Sequence, residues 1–376
     1  MRIVALFLVF ITSTSLGQKE DAIRYIESHK AEFVALSDSI WKLAEPSYRD
    51  ERSAELLWRR FEKEGFNVTG NVLNMPSVFI AEYGTSKPVI GLFGEYDADQ
   101  NATHGGHHNL LGVGSMAAAF AIKRLIDEKK LSCTIRYFGS TDEGGAGLKR
   151  FIAAEGYFND LDLGIYWHPS PVTAASTRKW DALTEFQVPL SDTHLLKELN
   201  TTGYKLTFKE TDVRIQCAFQ KTCDSLYTSI ARGRNLVVTK NIHQFLPNVT
   251  AMRVVQKNME LLGSITYSDA ERQYANPDDL SDKIPTFSDQ SKAGKMYGYS
   301  SDIGEASRIA PEIYFVVKTL PFVNMHTPQA ATFSNHPIGH KGMIHASKII
   351  ALTIIDYVKD PALQEAIRSD FEQNVK

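Results

Sequence analysis

Cysteine is scarce in this chain: Cys133, Cys217 and Cys223 are three among 376 residues. So sparse and odd a set excludes a small fold stapled by disulfides. None stands at metal-ligand spacing, so buried thiols are expected, with one disulfide permitted if the chain is exported. A basic block is missing too. Lys and Arg total 41 against 44 Asp and Glu, for a formal net charge of −3, and no nucleic-acid partner is expected. After the first residues no apolar run reaches the length of a membrane span. No internal repeat recurs, which excludes a solenoid.

What remains is an ordinary globular composition, long enough for one large domain and a small one. The N-terminus has the pattern of a signal peptide over residues 1–17. Arg2 is the short positive region, Ile3 to Ile11 the apolar run, and Ser15-Leu16-Gly17 the small-residue cleavage site. The alternative is a buried strand. Export places the protein outside the cytoplasm, secreted or periplasmic.

Hydrophobic spacing predicts helices over 19–44, 51–64, 111–128, 147–155, 252–262 and 342–358. Strand-formers without helical period predict strands over 77–83, 89–93, 134–138, 161–167 and 313–317. Strands alternating with helices indicate an α/β protein with a mixed sheet flanked by helices. The pattern changes over 186–245, where a strand at 213–219 and a helix at 224–232 are expected. This reads as a small inserted α+β lid domain between two parts of the main domain, 18–185 and 246–376. Residues 278–291 read as a polar loop.

Ligands in such sheets gather beyond the carboxyl ends of the strands. Glu95 to Asp97, the pair Asp142-Glu143, and His168 each come after a predicted strand end. His104, His107 and His108 crowd the loop before a helix for which Asn109 is an acceptable N-cap. Hydrolytic metal sites need imidazoles and carboxylates as ligands, and a free carboxylate to take a proton from water. His108, Glu143 and His168 suit the first role and Asp142 the second. His326 is a more distant candidate ligand. Taken singly, each of these residues reads more readily as part of a solvated surface than as a ligand. Ser301 and Asp302 are candidates for substrate contact or for capping the next turn. His340 is a candidate substrate contact, and His345 reads as helix surface.

The segments 91–98 (GLFGEYDA), 108–114 (HNLLGVG), 142–145 (DEGG), 167–169 (WHP), 301–305 (SDIGE) and 338–343 (IGHKGM) occur in a family order. Through them the chain resembles the aminoacylase and carboxypeptidase superfamily of dimetal amidohydrolases, and within it the aminobenzoyl-glutamate hydrolase type. The resemblance implies a dimetal aminopeptidase-like catalytic domain, two divalent ions (zinc or manganese) and a small-molecule amide substrate. It implies His108, Glu143, His168 and His326 as metal ligands and Asp142 as general base. Glu95 and Asp97 support them, and His104 opens the metal loop.

Three departures stand out. Gly106 occupies the place of a metal-binding cysteine, with His107 beside it as an extra imidazole that, like His104, is a candidate further metal ligand. The base is Asp142 where the family has glutamate. The insert is short and lacks the usual Gly-Gly-His-Ala segment and first helix, which serve substrate contact and dimerisation in relatives. The chain is therefore expected to be either an exported amidohydrolase or a catalytically degenerate descendant that binds rather than cleaves.

Overall fold

A computed structural model describes residues 2–143, 145, 147–175, 177, 180–187, 205–209, 212–217, 221, 224–225, 228, 237–275, 280 and 300–375, with side chains from residue 15. The first helix, α1 (Arg2–Leu43), turns Ala22, Tyr25, Ile26, Phe33 and Ile40 inward. It continues N-terminally beyond the stretch its spacing predicts. After α2 (Glu51–Lys63) come the strands β1 (Asn67–Thr69), β2 (Phe79–Tyr83) and β3 (Val89–Gly94). Next are α3 (His108–Asp127), β4 (Thr134–Gly139), α4 (Leu148–Ala154), β5 (Leu163–Ser170) and the two-residue β6 (Ala174–Ala175). Four strands, β7 (Ala182–Gln187), β8 (Lys205–Lys209), β9 (Asp212–Cys217) and β10 (Val237–Ile242), precede α5 (Val249–Leu262). The chain closes with β11 (Glu312–Lys318), α6 (Pro337–Lys359) and α7 (Pro361–Val375).

The larger sheet has the order β1-β2-β4-β3-β5-β11-β6 and is mixed, as expected. Its centre, β4-β3-β5-β11, is parallel, and β1, β2 and β6 pair antiparallel at the edges. Parallel strands covered on both faces read as continuous apolar runs. This accounts for Val89–Gly94, buried along its whole length. α1, α3 and α6 pack on one another, and α3 lies directly on β3, β4 and β5. Two glycines allow that approach. A Cβ at Gly112 would stand 2.4 Å from the backbone oxygen of Glu95, and one at Gly114 2.7 Å from the Trp167 ring. By length and composition α3 could cross a membrane, contrary to expectation, but it is a core helix with most of its length buried.

The second sheet is antiparallel, with the order β10-β7-β9-β8. The strand expected at 213–219 corresponds to β9. Of the helix expected at 224–232, residues 224, 225 and 228 are described and helical. Apart from the buried Leu280, the loop expected over 278–291 lies outside the described residues.

Several helices start earlier than predicted, α3 and α6 among them. α6 begins five residues upstream, because Pro337 occupies its first position, where a missing N–H costs nothing. His345 on that helix is buried, not at its surface. α3 begins at His108, so Asn109 is not its N-cap. Asn109 lies inside the first turn, and its amide donates to Ser37 and to the carbonyl of Ser334. Cys133 is a buried free thiol, its pKa pushed up to about 12 by burial.

Candidate metal centre

The parallel register sets Gly94 of β3 beside Gly139 of β4, so the chain leaves both strands at the same sheet edge. Glu95 and Asp97 come after β3, Asp142 and Glu143 after β4, and His168 lies near the end of β5. His108 opens α3 above them. Glu95, His108, Glu143 and His168, all buried, each bring one ligand atom to within 4.8 Å of the other three. Nε2 of His108 lies 3.6 Å from Glu95 and 3.9 Å from Glu143, and Nε2 of His168 lies 3.3 Å from Glu143.

The outer contacts aim these atoms inward. Nδ1 of His108 donates to Asp97 (2.7 Å), and Nδ1 of His168 donates to the carbonyl of Pro169 (2.8 Å). In the neutral ring each Nε2 is therefore left with its lone pair. Both are buried and have no hydrogen-bond partner. Metal-binding histidines are oriented in this way, with the second ring N–H on a carboxylate or carbonyl. Oε2 of Glu143 accepts from Tyr166 (2.9 Å) and Ser301 (2.7 Å), which turns Oε1 toward the histidines.

Electrostatics at the cluster favour added positive charge. Burial works against the charge on His108, but Asp97, then Glu95 and Glu143, raise its pKa to about 10. Burial likewise opposes the carboxylates of Glu143 and Asp97. Contact with His168 and His108 nevertheless pulls Glu143 well below its usual range, and His108 and Ser47 do the same for Asp97. Lys149, fully buried, donates to Glu95 (2.5 Å) and Asp302 (2.8 Å). Lys149 and a charged His108 do not balance the buried carboxylates of Glu95, Asp97, Glu143 and Asp302, although burial raises the pKa of Glu95 and, to about 7, that of Asp302. A divalent cation at the two imidazole nitrogens would supply positive charge there. The donor set, two imidazoles and two carboxylates, suits zinc or manganese.

Asp142 stands beside the cluster with its backbone in the left-handed region (φ 63°). Its N–H donates to Asp97 (3.2 Å), and its side chain accepts from the hydroxyl of Tyr48. Ser47, next in the chain to Tyr48, donates to the same Asp97 carboxylate (2.6 Å). The 45–50 segment thus braces both acids.

Other expected residues lie elsewhere. His104 donates from Nε2 to the carbonyl of Ile40 (3.2 Å), and burial lowers its pKa to about 4. His107 is no ligand. Its ring bonds Thr319 (2.9 Å) and the carbonyl of Ala330 (2.8 Å), and burial lowers its pKa to about 3. His326 is outside the four-residue group, half exposed, with Nδ1 on Asp99 (2.7 Å). Ser301 and Asp302 hold Glu143 and Lys149 rather than facing open space. His340 bonds Asp38 (2.9 Å) and lines a different groove, with Val34, Leu262 and Ile344. Conversely, Glu95, expected only as a support, is one of the four donors. Lys149, Tyr166 and Tyr48 went unmarked in the sequence.

No protein-family model matches the chain. A stretch of 161 residues, 38% of this chain, is 38% identical to a p-aminobenzoyl-glutamate hydrolase subunit of Escherichia coli and spans 34% of that relative's length. Xaa-Arg dipeptidase of Mus musculus is 22% identical over 94% of this chain and 92% of its own. Among solved structures, a dinuclear metal-binding peptidase of the M20 family from Bacillus subtilis superposes with a TM-score of 0.60 at 12% identity, over 88% of this chain and 99% of the other. An aminobenzoyl-glutamate utilization protein from Klebsiella pneumoniae gives 0.59 at 12%, over 89% and 98%. The chain is thus similar over that stretch to a p-aminobenzoyl-glutamate hydrolase subunit and has the fold of the solved M20 dinuclear metal-binding peptidase.

Proposed function

We propose that the protein is a divalent-metal-dependent amidohydrolase that cleaves the amide bond of an N-acyl or N-aroyl amino acid, an aminobenzoyl-glutamate-type conjugate in the first instance. One observation carries this reading. Four buried donors converge, two of them orphan imidazole nitrogens, and a braced carboxylate, Asp142, is the chain neighbour of another, Glu143. A divalent ion held by His108, Glu143, His168 and Glu95 would polarise an amide carbonyl and acidify water. Asp142 takes the proton from the attacking water and delivers it to the departing amine. Tyr48 and the backbone N–H of Asp142 keep that carboxylate oriented. Asp99 holds Nδ1 of His326 at the rim, and only in the imidazolium form could its Nε2 donate to the carbonyl oxygen as it gains charge. Residues 1–17 direct export, and the partner is a small amide rather than a nucleic acid.

The test is release of amine from p-aminobenzoyl-glutamate and from a panel of N-acyl amino acids, with zinc or manganese supplied. Asp142→Asn is expected to lower kcat by about 10²–10⁴ while metal stays bound. Wild type that binds metal yet turns over none of the panel refutes the reading. That outcome would favour the second reading, a binding protein, which rests on Gly106 in place of a thiolate and on the shortened base. A rise in melting temperature with an intact conjugate would then be its signature. N-terminal sequencing of the chain from an exporting host tests the signal.

A further inference from the structure

We infer that this centre holds one divalent ion, not two. The inference rests on the metal-binding reading above and concerns the number of ions. Two-ion hydrolytic centres keep their ions about 3.5–4 Å apart, each with its own ligands. A single zinc with protein ligands at about 2.0–2.2 Å draws its donors to within roughly twice that of one another. The four donors here, mutually within 4.8 Å, come close to the spread of one coordination shell. No other such group occurs among the described residues.

Most of the nearby side chains that could serve a second ion are committed elsewhere. Both oxygens of Asp97 are used, one by His108 and the other by Ser47 and the N–H of Asp142. Asp99 gives one oxygen to His326 and the other to the N–H of Gly105. Asp302 gives one to the ammonium of Lys149 and the other to its backbone N–H. Oε1 of Glu95 is held by Lys149. His107 spends both ring nitrogens, and His104 is anchored to Ile40 with its free Nδ1 outside the donor group.

The gap lies at Gly106. A Cβ there would stand 3.3 Å from Nε2 of His108 and 3.0 Å from Cε1 of His326. A side chain at 106 would therefore point between those two imidazoles, where glycine supplies no donor. The N–H of His326 donates to Gly105 (3.0 Å), which fixes its loop over that space.

The test is a metal count on the metal-free full chain, by calorimetric titration and elemental analysis, with zinc and manganese in separate runs. One equivalent is expected, lost in His168→Ala and kept in His326→Ala. Two equivalents in wild type, one of them lost in His326→Ala, would overturn the inference and leave the hydrolase reading standing. No binding would overturn both. Gly106→Cys, loaded with cobalt, is expected to bind a second equivalent and to gain a thiolate charge-transfer absorption. A count still at one in that variant would refute the assignment of the deficit to position 106.

Discussion

Lys149 is the cation around which the buried acids are arranged, and its replacement by methionine gives the sharpest test of that arrangement. Its ammonium lies 2.5 Å from Glu95 and 2.8 Å from Asp302, and all three side chains are fully buried. Methionine keeps the length of the chain and removes the charge. Breaking a buried pair by deleting one partner costs about 3–5 kcal/mol, because the remaining charge is stranded. An exposed pair such as Arg59–Glu55 is worth only about 0–1 kcal/mol. From a mid-range stability of about 10 kcal/mol, breaking the buried pair is a loss of roughly 30–50%. Urea denaturation of the metal-free protein reads the loss. Asp302→Asn in the Lys149→Met background removes one stranded charge, so the two changes should be non-additive by about 0.5–3 kcal/mol. Zinc should stabilise Lys149→Met more than wild type, since the ion then supplies the missing cation beside Glu95. A loss under about 1 kcal/mol, with additive changes, would refute the claim that Lys149 neutralises the site.

Asp97→Asn keeps the shape of the carboxylate that orients His108 and removes its charge. Chelator competition should show metal affinity lowered by about 10–100-fold. Tyr48→Phe removes the hydroxyl that holds Asp142 at little cost in packing. It should lower kcat by roughly tenfold, the equivalent of one hydrogen bond to a charged group, with KM and metal content unchanged. A shift in KM alone would make Tyr48 a substrate contact. Asp50 is fully buried, and burial, then Asp97, raises its pKa to about 8. Because the folded state holds that proton more tightly than the unfolded chain, the stability this group confers is fully present below about pH 4 and is lost as pH rises through about 8. Asp50→Asn, which cannot ionise, should therefore gain stability relative to wild type between pH 5 and 8, and a gap that narrows with pH contradicts the assignment. Gly114→Ala sets a methyl 2.7 Å from Trp167. It should cost about 1–3 kcal/mol by overpacking, read as a lower urea midpoint.

Most of the centre was legible because strand ends are. Runs such as 89–93 and 134–138 declare buried parallel strands, and the residues just past the carboxyl ends of such strands gather at one edge of the sheet. Glu95, Asp142, Glu143 and His168 were within reach on that ground alone. Lys149 was not. It comes after a glycine-rich turn, next to Arg150, on a seven-residue helix too short to show which face is buried. Its partners lie 54 and 153 residues away, and no local pattern encodes such distances. Tyr48 was hidden in the same way, because nothing in 45–50 announces that its hydroxyl meets Asp142.

His107 shows where sequence reading misleads. Beside Gly106 it looks like a spare imidazole that makes good a lost thiolate. Its backbone is left-handed (φ 61°), a conformation that costs a non-glycine residue roughly 1–2 kcal/mol. That turn swings the ring away from His108 and toward Thr319 and Ala330, where both nitrogens find partners. Two buried hydrogen bonds, each worth about 0.5–1.5 kcal/mol, are enough to offset the strain. They also tie the loop before α3 to the segments after β11. The histidine therefore compensates its own backbone rather than the cysteine. The residues at 106 and 107 are two separate departures: the first removes a ligand, and the second fastens the loop from which that ligand is missing.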